Sequence, residues 1–181
     1  MFLIRWRKNM KFSKFIVIAY VVVSATAVYA SDNDYGQNPA FNLVAGGNNV
    51  FYGIVNGDGS SFNTGAVYSW NDASNSYAAV ADNIPNIAGT PVVASDGSIY
   101  ILSSTGALDP NGALYHIVNG VTTPVHVFTN TSGERANPNF ITMVPDGRIY
   151  GTTLNGGWGG NGTIFVYNPK DSSFSSPCII N

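Results

Sequence analysis

Apolar residues in this chain fall in short runs separated by glycine, asparagine, aspartate and serine. Short runs rich in Val, Ile, Tyr and Phe read as β-strands, and the residues between them read as turns. The clearest example is Val144-Pro145-Asp146-Gly147-Arg148-Ile149-Tyr150-Gly151-Thr152-Thr153, followed by Gly162-Thr163-Ile164-Phe165. It predicts strand, Asp-Gly turn, strand, glycine-rich loop, strand. The same order recurs upstream. Ala94-Ser95-Asp96-Gly97-Ser98-Ile99-Tyr100-Ile101 leads to Gly112-Ala113-Leu114-Tyr115, and Ala45-Gly46-Gly47-Asn48-Asn49-Val50-Phe51-Tyr52-Gly53 leads to Gly65-Ala66-Val67-Tyr68. Tyr52, Tyr100 and Tyr150 are 48 and 50 residues apart. A β-type unit repeated at a period near 50 is the signature of a propeller-like array.

Each repeat holds four predicted strands. In the first they are Phe41–Val44, Val50–Val55, Ala66–Trp70 and Tyr77–Ala81. In the second they are Pro91–Ala94, Ile99–Ser103, Ala113–Val118 and Val121–Phe128. In the third they are Phe140–Val144, Arg148–Thr153, Thr163–Tyr167 and Phe174–Ile180. Pro124 and Pro177 stand in mid-segment of matching fourth strands. Proline cannot donate to a ladder, so these strands belong at an edge. Runs such as Ile99-Tyr100-Ile101-Leu102 are apolar without alternation, which predicts sheets covered on both faces. The fold class is therefore all-β and β-propeller-like. Three four-stranded antiparallel blades of about 48–50 residues occupy 38–181, as repeats over roughly 38–83, 84–130 and 131–181. Closed propellers have about four to eight blades. Three predict a partial or incomplete propeller: a piece of a longer array, a gene that lost repeats, or a chain that associates with its own copies.

The first 30 residues follow a different pattern. Basic residues precede a helical apolar run from Phe15, and Val28-Tyr29-Ala30 places small residues where a signal peptidase reads. This is the order of a secretory signal peptide over 1–30. Met10 opens a more typical leader and is an alternative start. Residues 31–37 form a polar lead-in. Cleavage would leave no stable membrane span, and the expected destination is the cell surface, the periplasm or the medium of a bacterium. An uncleaved anchor is the alternative.

Charge sharpens this picture. Five of the eight basic residues precede the apolar run, whereas all ten acidic residues lie beyond it. The body carries three cations (Arg135, Arg148, Lys170) against ten anions, a net of −7. Such a body has no electrostatic footprint for nucleic acid. Cys178 is the only cysteine, which excludes an intramolecular disulfide and any cysteine-based metal cluster.

The unit Asn-Pro, Asp-Gly-x-Ile-Tyr-Gly-Thr-Thr, a Gly/Asn-rich loop and Gly-Thr-Ile-Phe resembles the GloVer tandem repeat of secreted and surface bacterial proteins, which is kelch-like in shape. The third repeat matches best, through Asn137-Pro138, Asp146-Gly147, Tyr150-Gly151-Thr152-Thr153 and Gly162-Thr163-Ile164-Phe165. The second has Ile101-Leu102-Ser103 where Gly-Thr-Thr is expected. The first keeps Asn38-Pro39, Tyr52-Gly53 and Gly65-Ala66-Val67-Tyr68. The resemblance implies a propeller-like, exported protein. It implies no activity, because the shared positions are turn glycines, strand tyrosines and apolar residues.

Candidate chemistry is confined to the loops. In propellers the connections between second and third strands, and those between blades, gather on one face. Here they are Asn56–Thr64, Ser104–Asn111, Asn155–Asn161, Asp82–Thr90 and Thr129–Asn137. The ligand-binding candidates are Trp158, Asp58, Asp109 and Arg135. Trp158, flanked by Gly156-Gly157 and Gly159-Gly160, could stack on a sugar or peptide, or fold back over the core. Asn56-Gly57-Asp58-Gly59-Ser60 looks like a cation loop but lacks the further carboxylates calcium needs. His116 and His126 have no spacing partner for a metal. Cys178 has no nearby histidine to activate it. No catalytic residue, metal site or cofactor is expected. The expected role is non-catalytic binding or surface interaction, with a glycan, a protein or another copy as partner. The alternatives are a lactonase-like or lyase-like secreted enzyme on the same scaffold, and a truncated gene product without independent function.

Overall fold

The computed structural model describes residues 39–56, 64–104, 111–129, 138–157 and 159–179. The expected signal helix, the alternative start at Met10 and the lead-in lie outside them. Twelve strands follow: β1 (Pro39–Gly47), β2 (Val50–Asn56), β3 (Thr64–Asn71), β4 (Ser76–Pro85), β5 (Ile87–Val93), β6 (Ile99–Ser103), β7 (Ala113–Val118), β8 (Val121–Val127), β9 (Pro138–Met143), β10 (Ile149–Thr153), β11 (Thr163–Asn168) and β12 (Ser173–Ile179). They form three four-stranded antiparallel meanders: β1 to β4, β5 to β8 and β9 to β12. We call these blades 1, 2 and 3. There is no helix among the described residues.

The blades are held together by what lies between them. Ile54 and Val67 of blade 1 pack with Ile99, Ile101, Tyr115 and Ile117 of blade 2. Tyr100, Leu102, Leu114 and Phe128 of blade 2 pack with Ile149, Phe165 and Tyr167 of blade 3. The inner strands run alongside one another, with β5 touching both β1 and β9. This is propeller packing, in which sheet faces stack around inner strands.

Blade 2 is therefore the only blade, among the described residues, enclosed on both sides. All five positions of β6 are buried. β10 alternates buried and half-buried, and most of β1 is exposed. The expectation that every blade is covered on both faces thus holds for blade 2 alone. Blades 1 and 3 each have one neighbour here, and a strand with one covered face alternates.

Turn chemistry explains the hairpins. Gly47 pairs with Val50, and the two residues between them, Asn48 and Asn49, have φ of 50° and 60°. Two left-handed residues make the I′-type turn that suits the twist of a hairpin. Asn119 and Gly120 do the same between Val118 and Val121. The Asp-Gly hairpins are built differently. Gly97 N–H donates to Ala94 O at 2.9 Å, and Ala94 N–H donates to Ser98 O at 2.8 Å. The pattern repeats at Val144, Gly147 and Arg148, with both bonds at 2.9 Å. Gly97 and Gly147 take φ of 83° and 90° as the last turn residue.

One connection departs from expectation. The segment 82–90 reads as a loop, yet β4 continues to Pro85 and β5 begins at Ile87, leaving Asn86 alone between them. Ile84 and Ile87 explain this: both are buried, and Ile84 pairs with Gly65 while Ile87 pairs with Ser103. Burial of two isoleucines extends both strands, and Asn83, Asn86 and Gly89 absorb the bend with positive φ.

A cross-strand rule also emerges. Gly53 pairs with Tyr68, and Gly151 with Phe165. A Cβ on Gly53 would run into the Tyr68 ring, and one on Gly151 would run into the Phe165 ring. The glycine of the Tyr-Gly dipeptide leaves room for the ring on the next strand. In blade 2 the same place is taken by Ile101, opposite Tyr115.

Candidate functional site

The meander gives the sheets two unlike ends. One end carries the short turns described above, together with those at 72–75 and 169–172. The other carries the connections 57–63, 104–112, 154–162 and 128–137. Long connections on a rigid scaffold are where binding groups are usually placed.

Buried hydroxyls fasten two of these loops at their base. Thr153 and Thr163 face one another across β10 and β11. Thr153 Oγ1 accepts the Thr163 N–H at 3.0 Å and donates to Asn155 O at 2.7 Å. It also lies 2.9 Å from Thr163 Oγ1. In blade 2, Ser103 Oγ accepts the Ala113 N–H at 2.9 Å. Ser103, Thr153 and Thr163 are all buried. Ser104 N–H donates to Asn86 O at 2.7 Å, tying the start of the 104–112 loop to the link between blades 1 and 2. Gly162 N–H donates to Gly156 O at 3.0 Å, closing the 154–162 loop on itself. Gly156, Gly157, Gly160 and Gly162 all have positive φ.

The candidates Trp158, Asp58, Asp109 and Arg135 lie outside the described residues. For Trp158 the flanks are in place, since Gly156 and Gly162 are bonded to each other across it. The structure adds Ser103, Thr153 and Thr163, which sequence reading passes over. Their only signal is a hydroxyl residue closing a strand just before a glycine-rich loop.

The other polar candidates have local work. Asp96 Oδ1 accepts the Ser98 N–H at 3.0 Å and its hydroxyl at 2.7 Å, and these bonds hold its carboxyl below the usual range. Asp146 accepts the Arg148 N–H at 3.0 Å and Nε at 2.9 Å, with the guanidinium 2.7 Å away in an ion pair. Its carboxyl is lowered by these bonds. Both aspartates are turn residues anchoring the strand that follows. His116 stacks on Tyr100 at 4.3 Å, and His126 stacks on Phe174 at 3.4 Å. No group of three or more His, Cys, Asp or Glu suited to a metal occurs among the described residues. Cys178, on β12, pairs through its backbone with Ile164 of β11.

Known proteins clarify the class. No family model and no curated protein matches the chain. Solved structures do. The extracellular domain of the one-component system BT4673 from B. thetaiotaomicron is similar over 83% of this chain at 12% identity, with a TM-score of 0.54. TolB from Acinetobacter baumannii is similar over 71% at 17% identity, with a TM-score of 0.50. YCF48, solved bound to a D1 peptide, is similar over 81% at 18% identity, with a TM-score of 0.50. The chain spans 18%, 29% and 40% of the lengths of those three chains. These are β-propeller proteins, and the likeness shows the fold: three blades of propeller type.

Proposed function

We propose that this is an exported, propeller-like binding module of the GloVer repeat type, which meets its partner through the loop end of the blades. The observation that carries this reading is the asymmetry of the two ends. The turn end is made of short hairpins in which Asp96, Asp146 and Asp171 accept backbone N–H groups of their own turns. The loop end gathers the long connections, and two of them stand on buried hydroxyl bonds. Such fastening limits the ordering cost of a loop that binds. In this reading Trp158 supplies a stacking face for a glycan or peptide, and Asp58, Asp109 and Arg135 supply polar contacts around it. Export is supported by the leader pattern, and two of the similar structures, an extracellular domain and TolB, are compatible with it.

The test is binding of the protein, as its host processes it, to a panel of glycans and cell-wall polymers. A hit that Trp158→Ala weakens about tenfold or more, the scale of one lost aromatic anchor, supports the reading. A hit whose affinity is unchanged by Trp158→Ala, Asp58→Ala and Arg135→Ala together removes the loop end as the site.

A further inference from the structure

We propose that Phe41 is an aromatic contact for a neutral sugar at the loop end of blade 1. Phe41 joins the binding site proposed above, and its role rests on that reading. The chain works against its own preferences at this residue. Ala40 pairs with Ile54 and Val44 with Tyr52, so Phe41, Asn42 and Leu43 stand opposite Gly53 alone. Blade 2 has the same bulge. Ala88 pairs with Leu102 and Val92 with Tyr100, so Gly89, Thr90 and Pro91 stand opposite Ile101. In both blades the bulge opens on a left-handed residue, Gly89 with φ of 72° and Phe41 with φ of 65°. Glycine adopts that backbone freely, whereas for a bulky side chain it is an outlier.

Burial does not account for the phenylalanine either. Gly89 and Pro91 are buried, and a Cβ on Gly89 would meet Asn139 O of β9, in the following blade. Blade 1 also has its following blade in place, with β5 alongside β1. Phe41 is nonetheless 51% exposed, and Asn42 beside it is exposed too. Half of Phe41 thus stays outside the seam between blades 1 and 2. The bulge lies toward the loop end, since Pro39 pairs with Val55, and β2 ends at Asn56, where the connection 57–63 begins. A bulge at such a rim re-aims a side chain. A strained residue kept where neither backbone nor core favours it points to a use.

The surrounding chemistry selects the ligand. β1 carries no charged side chain from Pro39 to Gly47. An exposed phenyl ring beside a neutral amide suits a neutral sugar. The C–H face of a pyranose ring packs on the phenyl, and its hydroxyls meet the Asn42 amide as donor and acceptor. A charged peptide or an acidic polymer would find no counter-charge on this strand.

The test is binding of the full chain, as its host processes it, to neutral β-glucan, xylan, mannan and chitin oligosaccharides, with Phe41→Gly, Phe41→Leu and Trp158→Ala variants. Phe41→Gly removes both ring and strain, and Phe41→Leu keeps an apolar side chain without the ring. Both should weaken binding about tenfold or more. The melting temperature should not fall in Phe41→Gly, because glycine fits the left-handed backbone. Native affinity in both Phe41 variants overturns the proposal, and where Trp158→Ala still weakens the same hit, the loop-end reading survives it. Weaker binding in the Phe41 variants with Trp158→Ala inert keeps Phe41 and removes Trp158. A sharp fall in the melting temperature of Phe41→Gly, or a wild-type protein that binds none of these oligosaccharides, also overturns the proposal.

Discussion

Ile99 and Tyr100 are neighbours in the chain and belong to different cores. Ile99 packs toward blade 1 and Tyr100 toward blade 3. The separation of those cores predicts how mutations combine. Ile54→Ala and Phe165→Ala should each cost about 2–5 kcal/mol, the range for emptying a buried aliphatic or aromatic site. The side chains lie in separate clusters. The double variant should therefore equal the sum within about 0.5 kcal/mol. Denaturant unfolding of the four proteins measures this, and a large coupling would show that the two cores act as one.

The Tyr-Gly dipeptides make a second prediction. Gly147 has a left-handed φ of 90° with open space around its Cβ direction, whereas a Cβ on Gly151 would enter the Phe165 ring. Gly147→Ala should cost about 1–2 kcal/mol through backbone strain, independently of Phe165. Gly151→Ala should cost about 1–3 kcal/mol through overpacking, part of which Phe165→Leu returns. A double-mutant cycle in which Gly151 and Phe165 show no coupling would contradict the packing described.

Hydroxyl fastening predicts a third difference. Thr153→Val keeps the shape of the side chain but leaves the Thr163 amide without the acceptor it has now. That should cost about 1–3 kcal/mol, while Thr153→Ser keeps the bond and loses only a methyl contact. Hydrogen exchange at the Thr163 amide reads the same effect locally, with faster exchange expected in Thr153→Val and near-native exchange in Thr153→Ser.

Burial pushes the Tyr100 phenol up to about 12, with Tyr167 and Asp96 adding to the shift. The sign follows from linkage. Between the ordinary value of 10.0 and about 12, the folded protein keeps a proton that the unfolded chain releases. Stability from this site is therefore full below pH 10 and falls as pH rises through that window. The loss across that window is on the order of 2 kcal/mol. Tyr100→Phe should lack this component, so its stability should decline less steeply than that of the native protein over the same window. Parallel slopes would count against a buried, protonated Tyr100.

Much of this fold is legible from the residues, for physical reasons. Ile99–Ser103 and Ala113–Val118 match β6 and β7 at both ends, because glycine and turn residues punctuate them sharply. The link between blades 1 and 2 was not legible. Ile84 and Ile87 lie among Asp, Asn and Pro, and their burial depends on partners at Gly65 and Ser103. One-sided burial in β1 and β10 was equally hidden, since it depends on which blades have neighbours. The candidate site was visible only as a location. Loop residues such as Asp58 and Trp158 show no periodicity, whereas the hydroxyls beneath them are read only once the strand registers are known.

Double-sided burial in blade 2 bears on how such an array could be lengthened. A unit copied from blade 1 or blade 3 would carry one face that has no neighbouring blade among the described residues. Blade 2 already fits a neighbour on each side, and Ile101 fills the place that is glycine in the other two. It is the natural template for an inserted repeat, and an array grown from it would gain a sheet already fitted on both faces at each step.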